Sequence, residues 1–404
     1  MNIVHPAQHP AERSAAAPAH ADSRFATASG VAPRRVLVVL LGAIGDVVRA
    51  LPLLGRVRRA WPEAHIAWAV EPKSRALLEG HPWLDELIIY DRRRPWSFVP
   101  FLARVRARRF DLVLDLQRHL KSGVIAMASG APRRLGFDRS NTKELNHLFS
   151  TMRIAPQPPM RLKLTQYQAF GDALGVASTP IEFGLAASPV ERARAAALLE
   201  NAPRPLLGVI LGSSWPSRMY FADSIAAVIR ELSTPRDGFA ALFPVLLGSG
   251  RAEAELAEAV IANLAGQRVL NLCGRTELRE LLAIFPECSA AFGPDSGPMH
   301  IAAAVGCPVV SLWGATAAER SAPWGFAELA LTGEIPCHPC YLRECPIGRE
   351  CMRRIAPTDV AAAIRRAMAA STCANTSADE AMSRDAARVG AGSSQPGHQR
   401  RGPA

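Results

Sequence analysis

An apolar run, Val36 to Leu41, breaks into a turn with two glycines, Gly42 and Gly45, and the succession of short apolar run, small-residue turn and helical pattern then recurs along the chain. In the first half His65–Val70, Glu86–Tyr90 and Leu112–Leu116 read as further strands, and Asp46–Ala60, Lys73–Glu79 and Phe98–Arg109 as helices. Such alternation predicts βαβ units, and so a parallel sheet with helices on both faces. Between Ala177 and Arg204 the strong apolar runs lapse and a polar helix, Pro189–Glu200, intervenes. The pattern then restarts. Leu206–Leu211, Leu242–Leu247, Val269–Leu272, Ala290–Phe292 and Pro308–Trp313 read as strands, and Ala222–Leu232, Glu253–Leu264, Leu278–Phe285 and Met299–Val305 as helices. The expectation is two doubly wound α/β domains in tandem, 34–185 and 186–370, facing each other across a crevice at the carboxyl ends of their strands. Residues 1–33 and 371–404, rich in small and polar residues, are expected to be disordered.

With 404 residues the chain can bury two cores, and 49% apolar against 21% charged residues describes an ordinary globular protein. No apolar run approaches the ~20 residues that cross a bilayer, and no signal peptide is evident, so a cytoplasmic location is expected. Eight cysteines are compatible with a reducing compartment. The formal charge of +11 gathers before residue 150: Arg56, Arg58 and Arg59; Arg92 to Arg94; Arg104, Arg106, Arg108 and Arg109; Arg133 and Arg134. An anionic partner for the first half follows. No aromatic-interleaved basic motif accompanies the charge, so nucleic acid is not expected.

Four turns carry candidate chemistry. Gly42-Ala43-Ile44-Gly45-Asp46 lacks the third glycine of a dinucleotide fingerprint and the Lys-Ser/Thr of a phosphate loop. Asp46 reads either as a helix N-cap, worth ~1 kcal/mol, or as a carboxylate at the mouth of the first strand that takes a proton from an attacking hydroxyl. Gly293-Pro294-Asp295-Ser296-Gly297-Pro298-Met299-His300 opens a helix in one step, so its amides and the Ser296 hydroxyl could cradle a diphosphate, with His300 one turn on. Caps and a core histidine are the plain alternatives. Ser213, Ser214 and Arg218 follow another strand and could hold phosphate oxygens, while Glu253, after Gly248-Ser249-Gly250, could bind a ribose hydroxyl or simply favour a helix dipole. Cys337, Cys340, Cys345 and Cys351 could bind structural zinc, although the last spacing departs from the common ribbon pattern, and a redox-sensitive thiol group and plain packing are the other readings.

Taken together these residues resemble a known family. Leu41 to Pro52, Asp115-Leu116-Gln117 with Lys121-Ser122, and Gly136-Phe137-Asp138-Arg139 are similar to the acceptor half of glycosyltransferase family 9. Gly212 to Arg218, Leu272-Cys273-Gly274-Arg275-Thr276 and Gly293 to His300 are similar to its donor half, in order over roughly 35–370, and Cys337 to Met352 resembles the tail of the heptosyltransferase II branch. The resemblance implies a GT-B fold, two Rossmann-like domains about a central cleft. It also implies an inverting transferase without a catalytic metal, using ADP-heptose as donor and an anionic, lipid-linked inner-core oligosaccharide as acceptor at the inner-membrane surface. It places Asp46 as base; Ser213, Ser214, Arg218, Glu253, Asp295, Ser296, Gly297 and His300 at the donor; and Lys121, Arg133 and Arg139 toward the acceptor. Arg218 stands where the family more often has lysine, and Ser296 where threonine is frequent. A transferase of the same fold acting on another glycan or a protein, and a nucleotide-sugar binding module without activity, are the rivals.

Overall fold

The computed structural model describes residues 32–370 apart from residue 237, so the disorder expected at the two ends falls, but for residues 32 and 33, outside the described part. The first half runs β1 (Arg35–Val39), α1 (Ile44–Ala60), β2 (His65–Val70), α2 (Pro72–Leu78), β3 (Glu86–Ile89), α3 (Phe98–Ala107), β4 (Leu112–Asp115), α4 (Leu120–Ala128), β5 (Arg133–Gly136), β6 (Met152–Arg153) and α5 (Lys163–Ala173). The second runs α6 (Pro189–Leu199), β7 (Leu206–Ile210), α7 (Ala222–Leu232), β8 (Phe243–Leu247), α8 (Arg251–Asn263), β9 (Leu270–Asn271), α9 (Leu281–Ile284), β10 (Cys288–Pro294), α10 (Gly297–Ala304), β11 (Val309–Trp313) and β12 (Ala330–Thr332), with a last helix over residues 357–370. Both sheets are parallel. Their orders, β3-β2-β1-β4-β5-β6 and β12-β11-β10-β7-β8-β9, are one winding repeated. Strand order reverses between β1 and β4 and between β7 and β10, the points at which open sheets hold ligands.

Several elements escaped the sequence reading. Strand β5 opens on Arg133-Arg134, whose charge hides it; the Arg134 guanidinium donates to the carbonyls of Phe149 (2.7 Å) and Ala131 (2.6 Å), so the charge is absorbed locally. Strands β6 and β12 and helices α4 and α5 were likewise not expected. Leu278–Phe285, expected as one helix, is a single α turn running into a 3-10 turn at Phe285–Glu287, where Pro286 forbids continuation. Strand β10 is longer than expected because β11 pairs with it as far as Pro294.

The alternation in Val36–Leu41 explains how a run apolar throughout forms a strand. Val36, Val38 and Leu40 enter one buried cluster and Leu37, Val39 and Leu41 another, as a sheet covered on both faces requires. The first of these clusters continues through Val47 and Leu51 of α1 into Met299 and Ile301 of α10, joining the two halves. Close approach there depends on glycine. A Cβ on Gly45 would lie 2.6 Å from the His300 ring, and one on Gly297 would lie 2.8 Å from Ile44 Cβ.

The arginine cluster on α1 is not an anion-binding surface. Arg56 is 2% exposed and donates to the carbonyls of Gln168 (2.9 Å), Val176 (2.5 Å) and Ala177 (3.2 Å) and to Asp172 (2.9 Å). Arg58 and Arg59 bind Asp85 and Glu182. The contacts of Arg56 and Arg59 hold the chain that leaves α5 against α1. Asp115, at the end of β4, is also structural: it is buried and bonded by Ser122 Oγ (3.1 Å), Asn146 Nδ2 (2.8 Å) and the Gln117 amide (3.1 Å). Burial outweighs those bonds and pushes its pKa up to about 7. Among the described residues no helix is long and apolar enough to cross a membrane.

Two outcomes follow. Gly45→Ala should destabilise the chain by about 1–3 kcal/mol in denaturant melts, since neither helix can retreat without opening the shared core. For Asp115, whose folded pKa lies above the ordinary carboxylate value, the folded state binds the extra proton. Wild-type stability should therefore fall as pH rises from about 4 to about 7 and level off above. In Asp115→Asn that decline should be reduced, as read from melts across the same window.

Candidate active site

The turn after β1 delivers Asp46 as the third residue of α1, with its amide donating to the Ala43 carbonyl (2.9 Å). It is therefore not the N-cap. Its carboxylate accepts from Lys163 Nζ of α5 (2.7 Å) and from Arg49 Nη2 (2.5 Å). Burial alone would raise its pKa, but the charges and hydrogen bonds of Lys163 and Arg49 prevail and hold the carboxyl well below the usual carboxylate range. Burial in turn depresses the Lys163 ammonium, against the pull of Asp46.

Arg49 also reaches the second half. Its Nη1 lies 2.6 Å from His300 Nε2 and donates to the Ser321 carbonyl at 3.1 Å. A guanidinium only donates, so His300 accepts at Nε2 and carries its proton on Nδ1. Burial first, and then the Arg49 charge, drive the His300 pKa well below its ordinary value, leaving the ring neutral at physiological pH.

Across the cleft, Ser296 occupies the N-cap position of α10 without making a cap hydrogen bond, and its buried Oγ has no partner among the described residues. Asp295 does not face the cleft as a free acid. It is paired with Arg218 (3.0 Å) and accepts from Thr316 Oγ1 (2.7 Å), and its carbonyl accepts from Ser213 Oγ (2.7 Å). The Arg218 guanidinium lies 4.0 Å from the Trp215 ring centroid. Glu253, in the first turn of α8, accepts from the Ser249 amide (2.7 Å). A Cβ on Gly212 would fall 1.9 Å from Glu253 Oε1, so glycine there is what admits the carboxylate to the mouths of β7 and β8. Burial raises the Glu253 pKa.

These residues line one cleft of about 660 Å³ between the two halves, within the range of small-ligand sites. Asp46, Ser213, Ser214, Arg218, Glu253, Asp295, Ser296, Gly297 and His300 are all brought to it. Lys121, Arg133 and Arg139 are not: Lys121 projects outside over Tyr90, Arg133 is the first residue of β5 and Arg139 is exposed. The cations that do enter from the first half are Arg49, Lys73, Lys143 and Lys163, with Arg218 and Arg320 from the second. Arg49, three residues after Asp46 on one helix, was readable from that spacing. Nothing in the sequence tied Lys163 to a residue 117 positions away. Three further donors in the cleft, Arg49 Nε, Arg218 Nε and Arg320 Nε, are buried without partners among the described residues.

Of the four candidate zinc ligands, Cys337, Cys340 and Cys345 all lie close enough to Cys351 to raise its thiol pKa, after burial, through their charge. Among the described residues no group of three or more His, Cys, Asp or Glu side chains is placed to hold a metal ion. Cys351 is buried in the second core beside Gly314, Cys337 is exposed, and Cys345 Sγ accepts from the Arg349 amide (3.2 Å). The segment instead straps onto the cleft. Ser217 Oγ donates to the Leu342 carbonyl (2.6 Å) and the Tyr341 amide to the Ala315 carbonyl (2.7 Å), which sets Tyr341 in the cleft wall.

Comparison with known proteins agrees with this geometry. The family model for glycosyltransferase family 9 (heptosyltransferase) matches residues 100–350. The lipopolysaccharide core heptosyltransferase OpsX of Haemophilus influenzae is 26% identical over 294 residues, 72% of this chain and 82% of that one. Among solved structures, a family 9 glycosyl transferase from Veillonella parvula superposes with a TM-score of 0.68 at 22% identity, over 83% of this chain and 97% of that one. The E. coli heptosyltransferase WaaC with ADP-2-deoxy-2-fluoro heptose gives 0.62 at 20% identity, over 82% and 99%. The two-sheet GT-B architecture is thus shared. A cleft built at two switch points, and a family match over more than half of its residues, establish that the chain belongs to glycosyltransferase family 9.

Proposed function

We propose that the protein is an inverting heptosyltransferase, moving a heptose from ADP-heptose onto an anionic, lipid-linked acceptor of the lipopolysaccharide inner core, Kdo-lipid A or its heptosylated form. The reading rests on the buried donors without partners, Arg49 Nε, Arg218 Nε, Arg320 Nε and Ser296 Oγ, which line the same cleft as Asp46. Buried donors without partners, with Ser296 among them at the amino terminus of α10, are an arrangement that an anion completes. The name of the Haemophilus relative and the ADP-sugar analogue bound to WaaC support the choice of donor and acceptor.

In the step proposed, an acceptor hydroxyl attacks the anomeric carbon from the face opposite the diphosphate. The bond from that carbon to the diphosphate oxygen breaks, the configuration inverts, and the proton passes to Asp46. Arg49, Arg218 and the amides at the start of α10 take up the negative charge left on ADP. Glu253, at the mouths of β7 and β8, is positioned for a ribose hydroxyl. Lys73, Lys143, Lys163 and Arg320 would hold the acidic acceptor, leaving Lys121, Arg133 and Arg139 for contacts outside the cleft. Arg49 has a second role. An incoming diphosphate competes with Asp46 for its guanidinium, so donor binding raises the proton affinity of the carboxylate when a base is needed. The enzyme would work on the cytoplasmic face of the inner membrane, peripherally.

Asp46→Asn should lower kcat by about 10²- to 10⁴-fold while ADP binding, followed by calorimetry, is at least as tight as in the parent, because the carboxylate no longer competes for Arg49; turnover close to the parent's would remove Asp46 from the base role. Lys163→Met takes away one of the two cations that depress Asp46, so the acid limb of kcat/KM should move to higher pH. ADP release from ADP-heptose, stimulated by one acceptor and not the other, tests the reaction itself. Tight ADP binding without stimulation by either would favour the binding-module rival.

A further inference from the structure

Of the exposed large apolar side chains in the described first half, all but Met127, near the end of α4, stand in the segments that follow strands. Trp96, Val99, Leu120, Leu145, Leu148 and Met160 are all exposed. They stand in the segments that follow β3, β4, β5 and β6. In a parallel sheet those segments share one rim, at the carboxyl ends of the strands, the side on which Asp46 also lies. Scattered single residues of this kind need no explanation, whereas a group on one edge does.

Trp96 and Val99 are the extreme members, 75% and 73% exposed. They sit three residues apart where a 3-10 turn, Pro95–Ser97, runs into α3, a spacing that sets both on one side. The base beneath is rigid: the Tyr90 ring packs against Phe98 and Phe101 with centroids 5.3 and 5.1 Å apart, and Lys121 Nζ lies 5.4 Å from the same ring. Arg92, Arg93 and Arg94 immediately precede, each mostly exposed. Asp91 holds Arg93 through Nε (3.0 Å) and Nη2 (3.1 Å), whereas Arg92 stands 3.6 Å from Glu71 and Arg94 3.9 Å from Asp91. With Lys121 the cations outnumber the carboxylates, so this edge joins an aromatic wedge to net positive charge. That pairing suits the boundary between anionic headgroups and acyl chains, where an indole keeps its N–H wet and its rings dry.

We propose that the rim around Trp96 and Val99 docks the protein on an anionic bilayer surface, with Arg92–Arg94 and Lys121 against lipid phosphates. The proposal builds on the lipid-linked acceptor reading above and names the surface that serves it. Docked in this way the protein lies on the membrane without spanning it and turns the rim that carries Asp46 toward the lipid.

The test is flotation of the full chain with vesicles of phosphatidylethanolamine and phosphatidylglycerol, against vesicles of phosphatidylcholine alone. The parent should float with the anionic vesicles only, and less as salt is raised. The double variant Trp96→Ser, Val99→Ser and, separately, Arg93→Glu should each lower the bound fraction about fivefold or more. ADP release with an acceptor stripped of its acyl chains should stay at the parent's rate in both. Equal flotation of the parent with both kinds of vesicle, or unchanged flotation of the double variant, overturns the docking surface. Because flotation needs no donor or acceptor, it can fail while turnover of the soluble acceptor succeeds, or succeed while no acceptor is used, so the two readings fail separately.

Discussion

Everything at the cleft depends on two helix amino termini being allowed to meet. Helices α1 and α10 each follow a strand beside a switch point, and each presents unpaired amides and a partial positive charge at its start. Gly45 and Gly297 remove the side chains that would hold the two ends apart. The like ends are reconciled by what stands between them: the Asp46 carboxylate supplies negative charge, Arg49 spans to a neutral His300, and Ser296 turns its hydroxyl away from capping its own helix. A diphosphate entering this place meets a field already oriented toward anions, and so requires little reorganisation of the protein.

The same economy governs the arginines. A count of positive charge in the first half suggests an anion-binding face, but the charges divide by location. Arg56 is consumed by backbone carbonyls and Arg134 by its own strand's neighbours, so neither is available to a partner. Arg49, by contrast, keeps its Nε without a partner among the described residues although it already makes two side-chain contacts. Whether a cation serves the fold or the ligand is decided by what oxygen atoms the chain places around it, which charge clustering along the sequence does not report.

That distinction also explains how much was legible beforehand. The two windings were readable because β-branched runs and small-residue turns recur where local geometry demands them, and the donor-side residues sit on those turns within a few positions of a strand end. Asp46, Ser296 and Glu253 are therefore legible as residues of the cleft, which all three line. Lys163 was not, because its role arises from α5 folding back across α1, a tertiary contact without local signature. The cysteines are legible in part: the four are near neighbours, as their spacing suggests, with Cys351 buried beside Gly314 and Cys337 at the surface, and among the described residues they are not placed as metal ligands.

The apolar cluster that passes from the first sheet through Val47, Leu51, Met299 and Ile301 to the second has a bearing on how the molecule comes apart. Two sheets with separate interiors would melt as two bodies joined by a tether. Here neither can unfold without stripping the other of buried surface, at about 25 cal/mol for each Å² newly wetted. The halves are thus coupled energetically through the α1–α10 seam. A hybrid that grafts either half onto a relative would inherit that seam as its weakest point unless the residues flanking Gly45 and Gly297 travelled together.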